Sequence, residues 1–81
     1  MELKDTIEFM NSSDYKERFI AEYLQLKIRI SGLATMLEKY KNGKLNFTPT
    51  CSYNLLHSQL VFMGSYLETL EKRAKLEGIE L

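Results

Sequence analysis

Tyr15, Arg18, Glu22, Lys27 and Arg29 fall in the first half of the chain, and Tyr66, Lys72, Arg73 and Lys75 near its end. Arginine's planar fork grips phosphate or carboxylate through paired hydrogen bonds, lysine adds a compact charge, and tyrosine stacks on a flat ring while its hydroxyl donates. The chemistry these types share is recognition of an anionic, nucleotide-like ligand. The same residues stand beside Glu17, Glu22, Glu68, Glu71 and Glu77, and such mixtures also form ordinary solvated ion pairs along helices. Spacing alone leaves both readings open.

Bond-breaking chemistry finds no pattern to rest on. The sequence has no glycine-rich phosphate loop, metalloprotease helix or nucleophile elbow, and no paired zinc ligands. Cys51 and His57 are the only thiol and the only imidazole. Six helical residues turn through about 600°, so a nucleophile and base at that spacing face apart. Cys51 is expected as a partly buried thiol at a loop-to-helix junction, and His57 as a polar residue at a surface or interface. The expectation is a protein that is not an enzyme and uses no cofactor or metal.

Two runs of apolar residues must position the polar set: Phe19, Tyr23, Leu26, Ile30, Leu33, Leu37, Tyr40, and then Leu56, Leu60, Met63, Leu67, Leu70, Ala74. Both step by fours and threes, the spacing that keeps side chains on one seam of a helix packed against another. The fold expected is all-α, an antiparallel two-helix hairpin forming a single domain over residues 1–81. Antiparallel packing brings the start of the first long helix beside the end of the second, which gathers the two halves of the polar set.

Asp14 and Glu17 make a capping-box-like start, while Asn42 and Gly43 make a left-handed stop preceded by Lys39 and Lys41, cations suited to a helix C-terminus. The first long helix is therefore expected over about 14–42, roughly 40 Å at 1.5 Å per residue. Thr48-Pro49-Thr50 disfavours helix, so 43–52 reads as a loop whose Phe47 folds back over the hairpin end. Thr50 or Ser52 caps a second long helix over about 53–77, released by Gly78. Leu3, Ile7 and Met10 predict a short leading helix over about 2–10; being too short to stand alone in water, it should dock Leu3, Ile7, Phe9 and Met10 on a neighbour.

At 81 residues and 9.5 kDa the chain sits near the size where one core gives only marginal stability. One cysteine rules out an internal disulfide and suits a reducing compartment. Eleven cations balance eleven carboxylates, which argues against the basic surface that grips nucleic acid. No charge lies between Lys44 and Glu68, but Asn46, Pro49, Asn54, His57, Ser58 and Gln59 in that stretch exclude a membrane span. Met-Glu-Leu-Lys-Asp-Thr lacks the form of a signal peptide, so a soluble cytoplasmic protein is expected.

A hairpin hides one stripe per helix, and this chain carries more. Ile20, Leu24 and Ile28 flank the first seam, while Leu55, Phe62 and Tyr66, joined by Gln59 and Thr69, flank the second. Left exposed, such faces mark an interaction surface, so a homo-oligomeric helical bundle is expected. The alternative is that the leading helix and Phe47 cover the surplus. Gly32 and Gly64 sit mid-helix at a cost of about 1 kcal/mol each relative to alanine; they admit a neighbouring backbone or a ligand, or are tolerated surface glycines.

Tyr15-Lys16-Glu17-Arg18-Phe19, then Glu22 to Ile28 and Leu33 to Leu37, followed by Leu56, Gln59-Leu60, Met63, Tyr66-Leu67, Leu70 and Arg73, resembles small hairpin proteins of tailed and crAss-like bacteriophages over most of residues 14–77. In form these are similar to phage anti-defence sponges, including the anti-CBASS cyclic-nucleotide sponge and the hairpin part of anti-Thoeris sponges. The resemblance implies a symmetric homo-oligomer, often a hexamer, acting in the cytoplasm of an infected bacterium. It would sequester a nucleotide immune signal, a cyclic oligonucleotide or an ADP-ribose-type compound, between subunits without cleaving it. It further implies Arg18, Lys27 and Arg73 on phosphates and Tyr15 stacked on a base or ribose. Lys27 and Arg73 fall near the places where sponges pair a residue of each helix, whereas residues 1–11 and 43–52 match no counterpart. A homo-oligomeric adaptor that binds a host or phage protein through Phe62 and Tyr66 is the alternative.

Overall fold

Asp14 has extended backbone, and its carboxylate accepts from the Lys16 amide at 2.9 Å, so the first long helix, α2, starts at Tyr15 and runs to Lys41. The expected reciprocal box does not close, because Glu17 accepts instead from the Ser12 hydroxyl at 2.5 Å while Ser12 Oγ accepts from the Asp14 amide at 3.0 Å. Gly43, with φ +68°, turns the chain out of α2. The second long helix, α3, covers Tyr53–Glu77, and the Ser52 side chain caps it by accepting from the Leu55 amide at 3.2 Å. These bounds lie within a residue of those expected from sequence. A computed structural model describes all of residues 1–81, as helices joined by turns and without strands.

Gly78, with φ +69°, stops α3, and the Ile79 amide then donates to the Ala74 carbonyl at 2.9 Å. This glycine closure reaches back five residues and delivers an apolar side chain onto the helix it ends. Ile79 is thereby buried in one cluster with Phe19, Tyr23, Leu26, Leu70 and Ala74. Leu70, 1% exposed, and Phe19, 2% exposed, are the large side chains sealed most completely there. Every residue of the two expected stripes is buried or half-buried, yet deep burial gathers where α2 begins and α3 ends. The turn end is held more loosely, with Leu37 its one fully buried apolar side chain and Tyr40 edge-on to Tyr53 at 5.7 Å between centroids.

The leading segment is helical over the expected residues and docks on α2, but not as one α-helix. It is a 3-10 turn over Leu3–Thr6 continued by a single helical turn, α1, over Ile7–Met10. Its apolar residues are only half covered, with Leu3, Ile7, Phe9 and Met10 between 37% and 48% exposed. The anchor is polar. Thr6 is wholly buried; its hydroxyl donates to the Leu3 carbonyl and accepts from the Gln25 amide, each at 2.8 Å, and the same Gln25 nitrogen reaches Met10 Sδ at 3.4 Å. A buried hydroxyl satisfied on both sides fixes a segment too short to be held by apolar area alone.

Two further expectations fail at the turn. Phe47 does not close the hairpin end but stays 56% exposed, because the Lys44 amide donates to the Lys39 carbonyl at 2.8 Å and lays the loop along α2. Cys51 is exposed rather than partly buried. His57 is exposed as expected, stacked on Tyr53 at 5.8 Å.

The leading segment packs on α2 alone and leaves the outer face of α3 open. Leu55, Phe62 and Tyr66 are 60%, 72% and 44% exposed. Only nine of 81 residues are buried in a body of 43 × 24 × 16 Å, so a single copy is a thin rod with little interior. No helix is long and apolar enough to cross a membrane.

A Cβ built on Gly32 or Gly64 meets nothing within 4 Å, so neither glycine serves close packing inside one chain. Gly32→Ala is therefore expected to stabilise the protein by about 0.5–1 kcal/mol, whereas Leu70→Ala should cost about 2–5 kcal/mol. Urea titration of each variant measures both; a Leu70→Ala midpoint equal to wild type would refute the assignment of the core.

Candidate functional site

Tyr15 and Phe19 stand one helical turn apart at the start of α2, and Arg73 and Glu77 one turn apart at the end of α3. Antiparallel packing sets the two pairs face to face. The Tyr15 hydroxyl donates to Glu77 Oε1 at 2.7 Å, Arg73 Nη2 donates to the Tyr15 oxygen at 2.9 Å, and Arg73 Nε donates to Glu77 Oε2 at 3.1 Å. These three bonds make a closed ring. Beneath it the Arg73 guanidinium lies 5.0 Å from the centre of the Phe19 ring, a separation at which a cation is attracted to an aromatic face. Lys16 Nζ donates to the Gly78 carbonyl at 3.4 Å and ties α2 to the end of α3.

The ring moves its members' proton affinities in consistent directions. Donation from Tyr15, joined by Arg73, holds the Glu77 carboxyl below its ordinary value. The bond to Glu77 pushes the Tyr15 hydroxyl up, with desolvation adding to it. Glu77 also raises Arg73, which stays charged throughout. Further along the seam, Tyr23 is raised first by burial and then by its 3.0 Å bond to Glu71.

Of the four residues expected at a ligand site, Tyr15 and Arg73 come together and Arg18 and Lys27 turn elsewhere. Arg18 Nη1 donates to the Ser12 carbonyl at 2.9 Å, back towards the leading segment. Lys27 lies twelve residues beyond Tyr15, about 18 Å up the helix, with Nζ 5.4 Å from the Tyr23 ring centre. Tyr66 is occupied by a hydrogen bond to Glu22. Sequence reasoning missed Glu77 as a member of the set, counting it only among the neighbouring carboxylates. Its place four residues after Arg73 is the signal for the pair. No three or more His, Cys, Asp or Glu side chains gather as metal ligands.

Arg73 and Tyr15 thus clamp the chain's own Glu77 carboxylate at the open end of a small all-α hairpin. Residues 13–76 match the Sequestin family, and the chain belongs to it. The matched span takes in α2, the loop and nearly all of α3; the leading segment and Glu77 fall outside it. No curated protein and no solved structure matches the chain.

The pKa directions fix the pH dependence. The folded Glu77 carboxyl titrates below its unfolded value, so its stabilisation is present above about pH 4 and is lost as pH falls through the lowered value. Tyr15 and Tyr23 titrate above theirs, so their contribution is present below about pH 10 and is lost as pH rises through the raised values. Glu77→Gln should flatten the acid limb of a stability profile and Tyr15→Phe should shallow the alkaline one. Denaturant midpoints across the pH range test this, and an acid limb unchanged by Glu77→Gln would show that the ring contributes nothing.

Proposed function

We propose that the chain is a phage anti-defence protein that binds a nucleotide-type immune signal, a cyclic oligonucleotide or an ADP-ribose-type compound, and withholds it without cleaving it. Membership of the Sequestin family carries the reading, since that name speaks of sequestration. The clamp is chemically suited to it. Arg73 and Tyr15 already hold a carboxylate, and a phosphate offers the same acceptor oxygens with more charge. An incoming ligand takes the place of Glu77, its ring lies against Tyr15, and Arg18 supplies further charge once released from Ser12, whereas Lys27, about 18 Å up the helix, lies beyond the reach of a ligand seated there. The protein acts by stoichiometry, in the cytoplasm of the infected cell.

Self-association belongs to the same reading. Leu55, Gln59, Phe62, Tyr66 and Thr69 step by fours and threes along the outer face of α3, a second seam of the kind that joins helices. The exposure of Phe62 and Leu55 there favours a second copy as its occupant. Two copies placed antiparallel about Phe62 form a helical bundle with a neighbouring chain beside each clamp, and a hexamer needs a further contact between such pairs.

Thermal-shift measurement against a panel of cyclic di- and trinucleotides and cyclised ADP-riboses tests the function, with the bound compound recovered intact after denaturation. Arg73→Ala combined with Tyr15→Phe should weaken binding about tenfold or more, the loss typical of charge-assisted hydrogen bonds. A panel without a single shift would overturn sequestration. Native mass measurement tests assembly: wild type should exceed one chain, Phe62→Glu should be monomeric, and a wild-type monomer would refute the seam. The same exposed face also favours a second reading, an adaptor for another protein. A partner retained by the Arg73 and Tyr15 variants and lost with Tyr66→Glu would select it.

A further inference from the structure

From Lys39 to Leu67 the chain carries three lysines, Lys39, Lys41 and Lys44, and no aspartate or glutamate, although its cations and carboxylates balance overall. The turn end of the hairpin is therefore positive and the open end negative. Charge segregated on one part of a neutral protein concentrates anions there. Glu38, the nearest carboxylate in sequence, lines a separate groove with Lys41, Leu37 and Tyr53. That leaves Lys39 and Lys44 facing a depression of their own.

The depression, about 380 Å³, lies between the last turns of α2 and the loop, within the size range of small-molecule sites. Gly32, Thr35 and Lys39 reach it from one face of α2, and Lys44, Asn46 and Phe47 from the loop. The hydrogen bond from the Lys44 amide to the Lys39 carbonyl holds the two lysine-bearing segments together. Neither ammonium is paired, because the ion pairs of the protein are Lys4 with Glu2 and Arg73 with Glu77. Here the contrast with the clamp is sharp: Arg73 already holds an anion, and Lys39 and Lys44 do not. Phe47 stands exposed on the rim as a flat apolar ring. Gly32 leaves the floor open, for a Cβ there meets no atom within 4 Å.

We propose that this cradle is a phosphate-binding site for a nucleotide-type ligand, separate from the Tyr15–Arg73 clamp. Lys39 and Lys44 hold the phosphate oxygens, the Thr35 hydroxyl and the Asn46 amide add neutral hydrogen bonds, and Phe47 lies against the ring of the ligand. The nucleotide part rests on the function proposed above, while the phosphate part rests on the cradle's own geometry.

Titration of isotope-labelled protein with inorganic pyrophosphate, ADP-ribose and cyclic di-AMP, followed by NMR and calorimetry, tests it. Shifts are expected at residues 32–47 with pyrophosphate and larger ones with the nucleotides. Lys39→Gln with Lys44→Gln exchanges exposed side chains and should lower both affinities about tenfold or more. Phe47→Ala should lower nucleotide affinity about tenfold, the scale of one base–aromatic stack, and leave pyrophosphate unchanged. Gly32→Leu, which fills the floor and favours the helix, should block both. Pyrophosphate held in the cradle with both nucleotides ignored would sustain the anion site and overturn the nucleotide reading. Nucleotides perturbing only Tyr15 and Arg73, or binding undiminished to the double lysine variant, would sustain that reading and overturn the cradle.

Discussion

The packing of α2 against α3 is the constraint on which the rest of this structure depends, and its strength is unevenly distributed. Phe19, Tyr23, Leu26, Leu70, Ala74 and Ile79 close into one cluster at the open end, while the residues of the same stripes nearer the turn are mostly half-buried. Apolar burial at about 25 cal/mol per Å² dominates helix pairing, so the end holding the cluster sets the register. Polar side chains at that end inherit fixed positions from it. The three bonds among Tyr15, Arg73 and Glu77 rest on Phe19, which is itself 2% exposed.

Charge adds a second asymmetry to the first. A formal charge of zero suggests a featureless surface, but the well-packed end holds its arginine in a ring with a carboxylate and the loosely packed end keeps lysines without partners. The two cationic sites thus differ in what an arriving anion must do. At the clamp it exchanges with Glu77. At the proposed cradle no carboxylate has to leave first, and attraction to such exposed lysines weakens with ionic strength.

Helix bounds and seam positions were readable from sequence because they follow from local rules. Asp14, Ser52, Gly43 and Gly78 act on backbone groups a few residues away, and the stripes follow helical periodicity. The joining of Tyr15 and Arg73 followed from antiparallel geometry alone. The failures share a different cause. Thr6 anchors the leading segment through Gln25, nineteen residues distant, and no periodicity reports a pairing of two polar groups. Phe47 and Cys51 depended on the path of an irregular loop, which a backbone bond between Lys44 and Lys39 decides. Arg18 and Lys27 have suitable chemistry, but rotation about the helix sends them to Ser12 and Tyr23. Glu77 and Ile79 could have been read, one from its spacing to Arg73 and the other from an apolar residue directly after a helix-ending glycine.

Glu77 and Ile79 stand on either side of Gly78. One neutralises the guanidinium and the other corks the hydrophobic cluster. The two roles are separable: the exposed Glu77 side chain can swing off Arg73 by rotating about its own bonds, while Ile79 keeps the end of α3 seated on the cluster.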